Sequence, residues 1–380
     1  MSIYIVQRGD TVDRIAAQEQ VRAEDIVYDN QLVYPFELAV GQALFIAKDE
    51  TPDRSIAVGG YAYPYISPWV LRQTLPYLSR VHVFSYGFTF EGNLIPPLLG
   101  DEGAVIAATL QYGVAPILTL TPFGPDGAFN NRLIESVVNN ENYTANLITQ
   151  LMETCAAKGY SGIDIDFEYI LASDRDAFTA FVQKTAEACR SQGLTISVAL
   201  APKSSADQKG LLYEGKDYRA LGDAADSVLL MTYEWGYKYG PPLPVAPINQ
   251  VRKVVEYAIT EILPSKIDLG IPNYGYDWPL PFEQGVTAAR TIGNIEAVRI
   301  AIMNDAVIQY DETAQSPYFT YTEPESGVGH IVWFEDVRSI QAKFDLIREF
   351  GLRGCGYWTI MQLFRANWLL LASEFEIRYT

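Results

Sequence analysis

From residue 56 onward, eight short apolar runs recur with helix-like stretches between them, and this alternation constrains the fold more than any other feature of the chain. The runs are IAVGGYAYPY, RVHVFSYGFTF, APILTLTPFG, GYSGIDIDFEY, LTISVALAPK, DSVLLMTYEWG, KIDLGIPNYGYDW and GCGYWTI. Strands this apolar are buried on both faces, and helices between them make each connection a crossover between parallel strands. Eight such units predict an α/β protein with a closed (β/α)8 TIM barrel. Almost every run ends in Tyr, Trp, Pro, Gly or an acid, so the polar and aromatic groups collect at the mouth where barrels bind ligands. The interval between the seventh and eighth runs, residues 279–334, exceeds one crossover. Its helix-like NIEAVRIAIMN and strand-like AVIQYDE, PYFTYTE and GHIVWFE predict a small inserted α+β lobe.

The fourth run carries Asp164, Asp166 and Glu168 at alternate positions among Ile163, Ile165 and Phe167. Side chains two apart on a strand share a face, so the three carboxyls converge while the apolar residues cover the other face. Each acid is costly to bury and raises its neighbours' pKa values, so a purely structural strand has little use for them. A solvated edge or an oxygen-ligand metal site are the bland readings. An apolar opposite face counts against the first, and the lack of a polar, glycine-kinked calcium loop counts against the second. Acids at the end of a buried strand point to acid/base chemistry, with no metal.

A formal net charge of −18 argues against nucleic acid or an anionic membrane as the main partner. The 25 Tyr and 6 Trp provide flat apolar faces of the kind that stack on sugar rings. Cys155, Cys189 and Cys355 lie in helix-like or strand-like segments and read as reduced core thiols, without disulfide or zinc spacing. Two histidines, His82 and His330, leave little room for a histidine-rich metal site or Ser-His-Asp chemistry. The start MSIYIVQRGD lacks a basic n-region followed by an apolar h-region, and no run approaches a membrane span. The expectation is a chain made in the cytoplasm, without signal peptide or membrane insertion, acting as a monomer and needing no cofactor.

Residues 1–47 read as a separate unit. The strand IYIVQ is followed by Asp10 and Thr11 as a helix N-cap before Val12, Ile15 and Ala16, then by a second helix from Ala23 to Tyr28 and a closing GQALFIA. This βααβ unit resembles a LysM domain in Tyr4, Val6, Gly9, Asp10, Thr11, Asn30, Gly41, Gln42 and Leu44. The resemblance implies binding to N-acetylglucosamine-containing polymers such as peptidoglycan or chitin; the bland reading is a stabilising cap. KDETPDRS, residues 48–55, reads as a linker, leaving residues 56–380 to the barrel.

With the acids at the end of the fourth of eight strands, the chain resembles the family 18 glycoside hydrolases. Their fourth-strand signature D-G-x-D-x-D-x-E appears as S-G-I-D-I-D-F-E, with Ser161 in place of the outermost acid. Their M-x-Y-D motif appears as MTYE, giving Met231, Tyr233 and Glu234, and their eighth-strand tryptophan matches Trp358. MTYEWGYKYGPPLPVAPI, PNYGYDWPLPF, VWFEDVRSIQAKFDL and GLRGCGYW also look like the spore cortex-lytic N-acetylglucosaminidases of this family, which usually carry two LysM modules where this chain has one.

The resemblance implies a β-N-acetylglucosaminidase that uses the sugar's own 2-acetamido oxygen as nucleophile. Glu168 would be the general acid, Asp166 would orient the acetamido N–H, Asp164 would support Asp166, and Tyr233 would donate to the acetamido oxygen. Trp358 would floor the sugar site; Glu234, Tyr61, Tyr274 and Asn273 are further candidates for its walls, with core packing as the alternative for the aromatics. Two other readings stay open: a chitinase or endo-acting enzyme on another polymer, and a catalytically inactive sugar-binding barrel, against which the presence of Glu168 counts.

Overall fold

The computed structural model describes residues 1–48 and 51–378, so the segment read as a linker includes two positions, 49 and 50, outside the described residues. Eight parallel strands close on themselves: β1 Ser55–Ala62, β2 Arg80–Phe88, β3 Ala115–Leu120, β4 Gly162–Ile165, β5 Thr195–Leu200, β6 Ser227–Leu230, β7 Ile267–Pro272 and β8 Gly354–Trp358. Each pairs with the next, and β8 pairs with β1 to complete the barrel. A two-residue strand, Leu94–Ile95, folds back on β2, and Glu376–Ile377 pairs parallel with the start of β1. Among the described residues, no helix is long and apolar enough to cross a membrane.

The approach to β4 shows how local sequence sets this geometry. Asn140 caps the helix Glu141–Lys158 by accepting from the Asn142 and Tyr143 amides, and Gly159 ends it at φ 80°. Thr144, Leu147, Leu151 and Cys155, at helical spacing, form the buried stripe. After this turn β4 enters the sheet through Gly162, where a Cβ would lie 2.3 Å from Thr195 Oγ1 and 2.6 Å from the Thr195 carbonyl. Only glycine lets the two strands approach this closely. The three cysteines are buried and free.

Between β7 and β8 the chain builds the inserted lobe, a five-stranded antiparallel sheet with the helix Asn294–Met303. Its strands are Gly275–Leu280, Arg290–Ile292, Gln309–Asp311, Ser316–Thr322 and Gly329–Trp333. The first begins at Gly275, inside the seventh apolar run, so that run supplies both β7 and the first lobe strand. The sharp passage between them is possible because Gly275 packs on the Trp333 carbonyl, 2.4 Å from where a Cβ would be.

At the N-terminus, strands Ser2–Ile5 and Ala43–Ile46 pair antiparallel around helices Val12–Glu19 and Ala23–Asp29. Thr11 caps the first helix, accepting from the Arg14 amide. The unit is seated on the barrel and on the inserted lobe. Ile308 N donates to the Val40 carbonyl (2.8 Å), Arg365 N donates to Gln31 Oε1 (2.7 Å), and the Arg365 guanidinium lies 3.9 Å over the Tyr28 ring. Gly41, at φ 83°, leaves room for the Ile308 carbonyl, which a Cβ would meet at 1.9 Å.

Candidate active site

β4 stops at Ile165, yet the alternation read in the sequence continues past it. The Asp166 amide still donates to the Leu120 carbonyl of β3 (2.9 Å), and Phe167 turns outward into a cluster with Phe88, Phe178 and Phe181. That anchor keeps Asp166 and Glu168 on the side of the barrel axis.

The three acids sit in different surroundings. Asp164 has no exposed surface; it accepts from Tyr61 Oη at 2.8 Å and from Ser197 Oγ at 2.6 Å, and its Oδ2 lies 3.5 Å from His82 Nδ1. Burial alone would raise its pKa, but His82, Ser197 and Tyr61 outweigh burial and hold it below the usual carboxylate range. Asp166 is also buried, and its Oδ1 has no hydrogen-bond partner among the described residues. Burial, then the charges of Glu168 and Asp164, push its carboxyl well up. Glu168 is half-buried, and burial raises its carboxyl too, against the pull of Lys216. The base of the ladder is therefore an ionised carboxylate, and the upper two positions hold protons readily.

Tyr233 follows β6, and its ring occupies space left by Gly270, whose Cβ would lie 2.9 Å from Tyr233 Cε1. Burial and the surrounding acids raise the Tyr233 hydroxyl far above its ordinary value, so it is a donor throughout the working pH range. Glu234, at φ 68°, is exposed as a residue, but its carboxyl is drawn inward: Tyr274 Oη donates to Oε1, and Tyr276 Oη donates to Oε1 at 2.9 Å. Burial raises this carboxyl and the two hydroxyls oppose the rise. Trp358 closes the floor with Phe84 at 4.8 Å, Tyr61 at 5.6 Å and Tyr63 at 6.3 Å between ring centroids.

The structure thus brings Asp164, Asp166, Glu168, Tyr233, Glu234, Tyr274 and Trp358 to one end of the barrel. Tyr61 stacks on His82 beneath them and donates to Asp164. Asn273 is buried and spends its amide hydrogens on the Thr359 and Gln362 carbonyls (2.9 and 3.0 Å), which fixes the turn after β8. A cleft of about 240 Å³ lined by Tyr63, Tyr65, Phe84, Pro96, Leu98 and Phe123 adjoins the aromatic floor.

Residues 126–362 match Glycosyl hydrolases family 18, and residues 4–47 match the LysM domain. The chain belongs to glycosyl hydrolase family 18. It is 40% identical to the Cortical fragment-lytic enzyme of Bacillus subtilis (strain 168), with 99% of each chain covered. It is 33% identical to the Putative sporulation-specific glycosylase YdhD of the same organism, covering 99% of this chain and 88% of the relative. The crystal structure of the Bacillus megaterium spore cortex-lytic enzyme SleL superposes with a TM-score of 0.93 at 34% identity, covering 100% of this chain and 99% of that one. This family 18 chain is a glycoside hydrolase.

Two residues of this glycosidase's site escaped the sequence reading. His82 sits under the ladder, and inward-facing alternation of Arg80, His82 and Phe84 along β2 is the signal that points to it. Lys216 is buried and feels the charges of Asp166 and Glu168, but it lies in the stretch YEGKDY, which has no period or motif to single it out.

Proposed function

We propose that this family 18 enzyme is a spore cortex N-acetylglucosaminidase that cleaves β-1,4 bonds on the reducing side of N-acetylglucosamine with retention, by substrate assistance. The observation that carries the reading is the contrast within the ladder: Asp164 ionised and fully partnered, Asp166 and Glu168 raised and coupled. Such a pair shares a proton, which is what a group that must first donate and later accept one requires.

In the first step Glu168 gives its proton to the glycosidic oxygen as the C1–O bond breaks. The acetamido carbonyl oxygen forms the bond to C1, giving an oxazolinium ion. Asp166 accepts the acetamido N–H, and Tyr233 Oη donates to the acetamido oxygen. Glu168, now a carboxylate, then takes a proton from the water that opens the ring and ends protonated again. Glu234 is held by Tyr274 and Tyr276, a role of positioning rather than attack. Trp358 packs under the reacting sugar.

The cortex as substrate comes from the relatives, whose names are those of cortex-lytic enzymes. The LysM unit at residues 4–47 supports action at the spore or cell wall, binding glycans that contain N-acetylglucosamine, with residues 1–47 and 56–380 as binding and catalytic domains of one monomeric chain. Digestion of soluble cortex fragments, with new reducing ends identified by mass after borohydride reduction, tests the specificity. Reduced N-acetylglucosamine at the new ends is the expected product; reduced muramic acid there would refute it.

A further inference from the structure

Lys216 is 1% exposed, and its ammonium nitrogen has no hydrogen-bond partner among the described residues. An isolated buried cation is expensive, and a fold keeps one only where something compensates it or where function requires it. Its backbone is fixed: the Lys216 amide donates to the Tyr213 carbonyl (3.2 Å), and its carbonyl accepts from Lys203 Nζ (3.1 Å). Beside it, Gly215 is pressed against the segment that follows Glu168. A Cβ there would lie 2.4 Å from the Ile170 carbonyl oxygen and 2.6 Å from Ile170 Cβ. The loop after β5 is therefore packed onto the acid segment through a position that only glycine can fill.

The charges that act on Lys216 are those of Asp166 and Glu168, and Asp166 Oδ1 is itself buried without a hydrogen-bond partner among the described residues. The other groups around the pair do not supply a countercharge. From β1 and the residue after it come the neutral hydroxyls of Tyr61 and Tyr63; from β4 and its extension, the Asp164 carboxylate and Tyr169; from the segment after β6, Tyr233 and the Glu234 carboxyl. His82 is directed at Asp164, and Lys203 spends its ammonium on the carbonyls of Ala206 and Lys216.

We propose that Lys216 is the buried countercharge of the Asp166–Glu168 pair, a positioning residue that keeps the pair singly protonated across the working pH range and so sets the window in which Glu168 can donate. It acts through space on the acids and does not touch the sugar. Burial pushes its own ammonium down to about 8, against the pull of the two acids, so it carries its charge below that value.

The inference rests on Glu168 being the acid, and the test separates the two claims. Lys216→Met keeps the length of the side chain and removes the charge. Turnover of soluble peptidoglycan fragments, followed as new reducing ends, should then show both limbs of the kcat/KM profile moved to higher pH by about one unit or more, since an opposite charge lowers a nearby acid's pKa by about 1–3 units. Lys216→Arg should keep the wild-type limbs. Because the ammonium makes no hydrogen bond, Lys216→Met should melt at or above the wild-type temperature. Unmoved limbs would overturn the proposal, and so would a variant that is unfolded or melts several degrees lower, which would make the lysine a part of the scaffold. An active Glu168→Gln would instead overturn the assignment of the acid, whatever Lys216 does.

Discussion

The two ends of the barrel handle buried charge in opposite ways. At the N-terminal end, Arg353 holds Asp268 with two bonds from one nitrogen, 2.9 and 2.6 Å, and Arg80 donates to Ser227 (3.2 Å). Burial pushes the Asp268 carboxyl up to about 7, but a guanidinium in direct contact favours the carboxylate. At the C-terminal end, Asp166 Oδ1 and Lys216 Nζ are equally buried and make no hydrogen bond among the described residues. Paired charges hold strands in place. Charges that balance without a direct hydrogen bond keep their protons movable, which is useless to a scaffold and necessary to an acid catalyst.

The sharpest way to break this contrast is at Glu168. Glu168→Gln preserves shape and removes the transferable proton, so kcat should fall by about 10² to 10⁴ or more while binding of the substrate persists. Stability should move the other way. Glu168's folded pKa is raised, so its ionised form costs stability above the unfolded value and that cost disappears as pH falls and the group protonates. The variant should therefore melt at or above wild type near neutrality and match it near pH 4. Retention of more than half the activity would end the assignment.

Arg353→Ala probes the opposite end. Leaving buried Asp268 without its hydrogen-bonded partner, with only the more distant charge of Arg80 nearby, should cost up to about 3–5 kcal/mol in denaturant unfolding, with the kcat of the remaining folded enzyme nearly unchanged. A large fall in kcat at unchanged stability would show that the two ends are not divided as described.

The sequence carried the barrel and the ladder because both are matters of period and order: eight apolar runs, and acids at every second position. It also carried the lobe's helix and three of its strands, but not Arg290–Ile292, which no apolar run marks, nor Gly275–Leu280, which reads as part of the seventh barrel run. It could not show that β4 ends at Ile165, because Phe167 continues the alternation by packing outside the sheet rather than by pairing. Nor could it show Lys216, which reaches the acids through the fold of a loop some fifty positions downstream. Asn273 looked like a wall residue from its place after β7, but its amide is spent on the turn after β8, a long-range contact no local pattern encodes.

The smallest expected effect is at the N-terminal unit. Its seat is the packing of Phe45 into the barrel core and of Ala39 into the lobe core, with a few hydrogen bonds and the Arg365–Tyr28 contact, none of which involves the three acids. Removing residues 1–47 should leave turnover of small soluble fragments within about twofold and weaken retention on insoluble sacculi, because the unit acts by raising local concentration. Equal pull-down of both forms by sacculi would make it a cap.

The central claim, that the sugar supplies the nucleophile and the raised acid pair moves the proton, is tested most directly by the anomer released. Proton NMR of the reaction in its first minutes should show the β anomer of the new reducing end, with the α anomer growing in only by mutarotation. The α anomer appearing first would contradict the account, since it requires water attacking opposite the leaving group and a base that is not this pair.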